Sequence, residues 1–103
     1  TGAHGAKLVI ASIGTAELAP GTRVRLERSD SKRHQLALER GRLHAKVVAP
    51  PRLFAVTTKH ADIIDLGCEY TIDVNHEGVG SICVQSGLVE LATPSGADVI
   101  APE

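Results

Sequence analysis

The sequence predicts an all-β single domain whose short strands turn at Gly and Pro, arranged like a β-solenoid or a β-sandwich. Apolar and polar residues alternate over residues 22–27 and again over residues 34–39, as they do along half-buried strands. Turn signals such as Pro20-Gly21 and Pro94-Ser95-Gly96 recur at roughly 8–12 residues, the spacing of sandwiches and barrels. No segment keeps the helical period of about 3.6 residues. We therefore expect roughly nine or ten short strands and no helix.

The composition limits what the core can be made of. At 103 residues the chain can form one domain that buries a core without metal or disulfides. It has one Phe, one Tyr and no Trp or Met, so the core must consist mainly of Val, Ile, Leu and Ala. We divide the chain into residues 1–14, a loose N-terminal segment with the first strand, and residues 15–103, the β domain. Because the sequence starts at Thr1, we expect it to be a segment of a longer protein.

The elements follow from short local patterns. The apolar run over residues 7–13 predicts the first strand, and the polar residues 28–33 predict a turn. Pro50-Pro51 should end a strand, because proline cannot donate to a strand ladder. Residues 75–78, Asn-His-Glu-Gly, predict a hairpin turn, and residues 97–101 predict a last short strand.

Two glycines mark places where the alternation changes phase. Across Gly41 the apolar positions move from even numbers to odd numbers, and the same change occurs across Gly87. A glycine at a phase change indicates a bend or a β-bulge, where the chain turns without strain at a Cβ atom. We therefore predict bends at both positions.

The stretch over residues 53–74 holds the largest side chains of the chain, and its phase predicts which of them face the core. The predicted inward side chains are Leu66, Cys68, Tyr70 and Ile72. The predicted solvated face carries the carboxylates Asp65, Glu69 and Asp73. We expect Leu66→Ala to cost about 2–5 kcal/mol if Leu66 is buried as this phase implies.

The same parity argument separates the two cysteines. Cys68 is in phase with its apolar neighbours, whereas Cys83 is out of phase with Ile82 and Val84. Side chains of opposite phase lie on opposite faces of a strand. This favours free thiols over a disulfide, although pairing remains an alternative.

Sequence patterns of enzymes, metal sites and nucleic-acid binding proteins are missing. The histidines form no HxH, HxxH or HExxH pattern, and we expect them to be exposed: His4, His34, His44, His60 and His76. No serine stands in a Gly-x-Ser-x-Gly context, and the formal net charge is −1. We therefore expect no enzyme, no catalytic residue, no metal, no cofactor and no nucleic acid. A calcium site at the Asp62, Asp65 and Glu69 cluster and an enzyme using His34 or His44 are the lesser alternatives.

A longer pattern resembles a known family. Its central part runs from Phe54 to Ile72 and is completed upstream by Gly41 and downstream by Gly87. The residues that carry the resemblance in the central part are Phe54, Val56, Thr58, Ala61, Ile63, Leu66, Gly67, Cys68, Tyr70 and Ile72. With the upstream Leu-x-x-Gly steps and the downstream Ile82-x-Val84-x-x-Gly87-x-Val89-x-Leu91, this stretch resembles the FecR domain family over about residues 15–103. The pattern Leu66-Gly67-Cys68-x-Tyr70 predicts a corner of the chain. The main departure from the family is Cys68, where the family usually has a threonine whose hydroxyl could form a hydrogen bond across this corner.

The resemblance implies a function as well as a fold. It implies an all-β, solenoid-like periplasmic sensing domain of an anti-sigma factor, within a larger membrane-anchored bacterial protein. The implied partner is the signalling domain of an outer-membrane, TonB-dependent receptor, and the implied output is control of a sigma factor. We expect a partner to bind at an exposed strand edge, either in residues 23–33 or in the terminal strands.

A carbohydrate-binding or small-molecule-binding module of the cell envelope is the alternative function. Sugar platforms usually use Trp or Tyr, and the single Tyr70 is predicted to lie in the core. The poverty of aromatic residues therefore counts against this alternative.

Overall fold

In the computed structural model, strands make up most of the chain. The structure describes residues 5–10, 14–29, 33–48 and 53–102. These residues form eight strands, β1 (Ala6–Ile10), β2 (Gly14–Leu18), β3 (Arg23–Ser29), β4 (His34–Val47), β5 (Phe54–Thr57), β6 (Asp62–Val74), β7 (Gly80–Thr93) and β8 (Gly96–Ile100). The prediction of an all-β domain is confirmed. No helix in the described residues is long and apolar enough to cross a membrane.

All eight strands belong to one sheet. Its order is β1-β2-β4-β5-β6-β7-β8, with β3 paired to β4 beside this path and a further pairing between β4 and β6. β4 and β5 run parallel, and the other pairings between described strands are antiparallel.

Three long strands bend at glycines, which explains why there are fewer strands than the sequence predicted. β4, β6 and β7 are 13 or 14 residues long. Their glycines Gly41, Gly67 and Gly87 have φ of 105°, 88° and 76°, in the left-handed region that other residues avoid. The bends predicted at Gly41 and Gly87 are therefore present. The chain continues as one strand through each bend, although β4 and β6 change partners there. The described residues therefore form eight strands, where nine or ten shorter ones were expected.

The bends divide the sheet into two parts that share one core. The first part contains β1, β2, the C-terminal halves of β4 and β6, and the N-terminal half of β7. The second contains β3, β5, β8 and the remaining halves of the long strands. Apolar side chains from both parts form a single buried cluster. Its largest fully buried members are Tyr70, Phe54, Leu38, Leu43, Ile72, Val56 and Val89.

The turns agree with the sequence where the structure describes them. In the predicted hairpin turn the Gly78 N–H donates to the Asn75 carbonyl at 3.0 Å, and the Asn75 side chain accepts from the Glu77 N–H at 2.9 Å. The centre of the predicted turn at residues 30–32, the strand end at Pro50-Pro51, and residues 1–4 and 11–13 of the N-terminal segment lie outside the described residues.

Candidate functional site

The side-chain phase of β6 changes at its corner, which Leu66, Gly67 and Cys68 form. Asp65 pairs with Val89 and Cys68 pairs with Gly87. β6 therefore has one more residue than β7 between these two pairs, which is a β-bulge. The bulge puts Asp65 before it and the even-numbered Cys68 and Tyr70 after it on the same buried side. The prediction that Asp65 is solvated was therefore wrong, because it is only 1% exposed, and Leu66 is half-buried instead of lying in the core.

The buried Asp65 carboxylate holds the corner together. Its Oδ1 accepts a hydrogen bond from the Gly67 N–H at 2.6 Å. Its Oδ2 accepts one from the Cys68 Sγ–H at 3.2 Å. A bulge interrupts the strand ladder and leaves a backbone donor in need of a partner, and the Asp65 side chain supplies it. Cys68 therefore forms a side-chain tie at this corner through its thiol.

The corner is electrostatically unusual because a carboxyl group lies among apolar side chains. Burial raises the pKa of Asp65, although the hydrogen bonds from Gly67 and Cys68 act in the opposite direction. Burial, together with the neighbouring Asp65, raises the pKa of the Cys68 thiol. The thiol is thus held protonated as a hydrogen-bond donor, the opposite of the activated thiolate that nucleophilic cysteines need.

Tyr70 adds a third polar group to this part of the core. Its side chain is fully buried, and its hydroxyl has no hydrogen-bond partner among the described residues. Burial raises the pKa of the Tyr70 hydroxyl, with Asp65 and Cys68 contributing. An uncharged phenol among apolar side chains stabilises through its ring, so Tyr70 serves packing and offers no acid or base to a substrate.

Replacing the Asp65 carboxyl should change how stability depends on pH. The raised pKa means that the folded state binds the proton more tightly than the unfolded state does. The stability linked to this proton is fully present below about pH 4 and is lost as pH rises through the folded-state pKa. We expect Asp65→Asn, which keeps an acceptor for the Gly67 N–H, to lose less stability than the wild type between about pH 4 and 7.

Urea unfolding of both proteins across this pH range measures the effect. Cys68→Ala is the matched control, because it removes the neighbouring donor but leaves the carboxyl group and its titration in place. Parallel stability curves for the wild type and Asp65→Asn would contradict the buried carboxyl.

His44 is more constrained than the sequence suggested. It was expected to be exposed, but it is half-buried on the face opposite the core. Its Nε2 lies 2.9 Å from Glu69 Oε2, and its Nδ1 lies 2.7 Å from Thr71 Oγ1. Because a carboxylate can only accept, Nε2 is the donor to Glu69, and Nδ1 lies within hydrogen-bond distance of the Thr71 hydroxyl. Gln85 donates to the same hydroxyl at 3.3 Å, which completes a chain of hydrogen bonds across β4, β6 and β7.

The other histidines and the two cysteines differ in how far their side chains are exposed. His60 and His76 are exposed, as predicted, His34 is half-buried, and His4 lies outside the described residues. Cys68 is buried and Cys83 is exposed, and both thiols are free, as the parity argument predicted. Within the described part of the chain, no three His, Cys, Asp or Glu side chains are grouped as metal ligands.

Comparison with known proteins places the domain in a family. The family model described as FecR protein matches residues 1–90. The chain belongs to the FecR family. Two crystal structures of a candidate anti-sigma factor from Parabacteroides distasonis share its fold, with a TM-score of 0.83 and 21% sequence identity. They match 99% of this chain and 49% of their own, so the chain spans about half their length. No curated protein matches the chain.

The FecR motif residues lie in the core and at the turns around it. Phe54, Val56 and Tyr70 are fully buried. Thr58 closes the elbow between β5 and β6, because its hydroxyl donates to the Ala61 carbonyl at 2.9 Å and accepts from the Ala61 N–H at 3.2 Å.

Sequence reasoning missed two residues of this FecR domain. Thr22 is 1% exposed, and its hydroxyl bonds both the carbonyl and the N–H of Arg42, at 3.2 and 3.1 Å. Asp65 was assigned to the wrong face. The sequence indicated a corner at Gly67, but its apolar residues stay on even numbers from Ile64 to Val74, so no phase change marked Asp65 as buried.

Among the described strands, β1, β3 and β8 each pair with a single neighbour. β3 carries the Arg-rich segment that the sequence offered as a binding surface, but its cations already face carboxylates. Arg23 lies 2.9 Å from Glu39, and Arg25 lies 3.4 Å from the same group. Two register shifts also interrupt the pairing of β3 with β4. Charged side chains and irregular pairing both discourage strand addition at an edge.

Proposed function

We propose that this FecR domain is the periplasmic sensing and protein-interaction part of an anti-sigma factor. It receives a signal from an outer-membrane, TonB-dependent receptor and passes it toward a sigma factor. The observation that carries the proposal is the family match over residues 1–90. The shared fold with a candidate anti-sigma factor supports it.

The proposed location follows from the same membership. Members of the family place this domain in the periplasm, as one part of a membrane-anchored protein. The solved relatives are about twice as long as this chain, which leaves room for further parts in a protein of this kind. We propose the same arrangement here, with membrane attachment supplied by a segment other than this domain.

The site geometry supports a binding role over chemistry. The protonated Cys68 thiol and the enclosed Tyr70 hydroxyl serve the corner. The free strand edges offer backbone groups to a partner, and strand addition uses such groups for affinity. The domain therefore acts as a rigid receiver that a protein partner engages.

The carbohydrate-binding alternative would need an exposed aromatic side chain. The chain has one Tyr and one Phe, and both Tyr70 and Phe54 are fully buried. Sugar sites usually stack the ring face on an exposed aromatic side chain, and this chain has none to offer.

The partner is tested by retention on a receptor. The signalling domain of a TonB-dependent receptor from the same organism is immobilised, and the purified FecR domain is passed over it. We expect saturable binding with a dissociation constant on the order of micromolar, as for transient signalling contacts. The matched control is the same receptor without its signalling domain. Equal retention on both surfaces would contradict the receptor as partner.

A further inference from the structure

Asp65 lies at the junction between the two parts of the sheet. β6 pairs with β5 in the second part before the corner and with β4 in the first part after it. Among the described residues, no Glu, Lys, Arg or His, and no other Asp, has a buried side chain. A change in the charge of Asp65 therefore acts where the two parts of the sheet meet.

The hydrogen bonds of the Asp65 carboxyl group come from the corner itself. The Gly67 N–H donates to Oδ1 at 2.6 Å, and the Cys68 thiol donates to Oδ2 at 3.2 Å. The nearby Tyr70 hydroxyl has no partner among the described residues, so it does not donate to this carboxyl. The carboxyl group thus holds the corner residues to one another, and the strength of this hold depends on its own charge.

The corner is also the place where the pairing of β6 with β7 is least regular. One register shift lies between Asp65 and Cys68, and a second lies between Glu69 and Tyr70. A bulge interrupts the ladder of backbone hydrogen bonds. Segments with an interrupted ladder can open locally at a lower free energy than global unfolding requires.

Few titratable groups face the Asp65 side chain. On β6 these are Cys68 and Tyr70, whose pKa values are raised, so both stay uncharged. On β4, His34 pairs with the buried Phe54 and is half-buried. On β8, Asp98 lies on the same face of the sheet but is exposed.

The remaining surroundings of Asp65 are apolar. Val89 on β7 pairs with it and is fully buried. Across the core, the first part of the sheet presents apolar side chains such as Leu43 and Ala45. Glu69 and Glu90 alternate to the outer faces of β6 and β7. No cation of the described residues is therefore buried beside the carboxylate to offset the loss of its hydration.

Burial sets the direction in which pH acts on the corner. It raises the pKa of Asp65, against the opposing effect of the hydrogen bonds from Gly67 and Cys68. The closed corner therefore binds the proton more tightly than an opened corner, in which the carboxyl reaches water. Opening becomes easier as pH rises from about 4 to the raised pKa of the closed state, and it is constant above that value.

We propose that the Asp65 carboxyl is a proton-dependent switch that controls local opening of the β6 corner. With the proton bound, the group keeps its acceptor capacity and holds Gly67 and Cys68 in the bulge. Without the proton, the buried charge favours an opened corner in which Cys68 leaves its pairing with Gly87, while the other strand pairs remain. The junction between the two parts of the sheet thus responds to the pH around the domain.

The two thiols of the chain report this opening separately. Cys68 is buried at the corner, and Cys83 is exposed. The chain is treated with a pyridyl disulfide, which modifies thiols in acidic as well as neutral solution, and mass spectrometry of its peptides gives both rates. The ratio of the Cys68 rate to the Cys83 rate corrects for the pH dependence of thiol reactivity. We expect this ratio to rise by up to about tenfold per pH unit above about pH 4 and then to level off.

Urea separates local opening from global unfolding. Opening of the corner exposes little surface, so urea at concentrations below the unfolding transition should change the ratio only slightly. A ratio that increases with urea as steeply as global unfolding does would overturn the local switch.

Two substitutions of the same kind assign the effect to Asp65. Asp65→Asn should remove the pH dependence of the ratio. The matched control Asp73→Asn changes an exposed carboxyl on the same strand, which binds Arg42, and should keep the pH dependence. A wild-type ratio that does not change with pH, or an unchanged slope in Asp65→Asn, would overturn the proposal. If Asp65→Asn does not fold, the pH profile and the urea dependence of the wild type decide, and none of these measurements involves the receptor.

Discussion

Gly87→Ala should be the most destabilising single change described for this domain, by about 4 kcal/mol or more. Gly87 has φ of 76°, and a Cβ atom there would overlap the Gly67 carbonyl oxygen and lie 2.8 Å from the Cys68 Cα. The atoms that it meets belong to the backbone of β6, which cannot move aside without breaking the corner. Chemical unfolding followed by circular dichroism measures the loss, and failure to fold would be the extreme form of the same result.

The control is Gly21→Ala. Gly21 has φ of 77°, almost the same conformation, but nothing lies within 4 Å of the Cβ position. Its cost should be only the left-handed backbone penalty, about 1–2 kcal/mol. The difference between the two variants therefore isolates the close approach of β6 and β7. Equal losses would mean that backbone conformation alone explains the glycine at position 87.

Phe54→Ala should cost about 3–5 kcal/mol, because it removes a fully buried ring and leaves a cavity. Phe54 starts β5, which lies between β4 and β6 in the second part of the sheet. Thermal or urea unfolding gives the value. A loss of about 1 kcal/mol or less would show that the neighbouring side chains collapse into the space.

Leu66→Ala is the matched comparison for this variant. The sequence phase predicted that Leu66 is buried, and on that basis a loss of about 2–5 kcal/mol was expected. The bulge leaves Leu66 half-buried, so the revised expectation is about 1 kcal/mol. A loss near the original figure would contradict the register of β6 at Gly67.

The corner of β6 accommodates a buried carboxyl group. A buried carboxylate is costly, yet Asp65 satisfies backbone and thiol donors that would otherwise be unpaired at the bulge. The resemblance implied a threonine at position 68, and the Cys68 thiol there donates to the Asp65 carboxyl group.

β3 and β8 differ in how their charged side chains are arranged. β3 neutralises its arginines internally with Glu39, whereas β8 keeps a carboxylate exposed at its centre. The two edges of the second part of the sheet thus differ in what they can accept.

Much of the fold could be predicted from local patterns. Alternation located most strands, and the phase changes located the bends at Gly41 and Gly87. The Tyr70 side chain and the separation of the two cysteines followed from the same parity. These features are set by residues close in sequence, because a strand's period of two is a local property.

The rest depended on contacts between distant residues. Whether a glycine ends a strand or bends it depends on whether its neighbours stay paired, and at Gly67 that pairing is with β7. The face on which Asp65 and Leu66 lie follows from this bulge, and a shift of one residue is enough to exchange core and solvent. The sequence by itself determined the all-β class, the family and most of the alternation. Only the tertiary structure decided the register at the corner and which strand edges stay free, because both arise from pairing across the sheet.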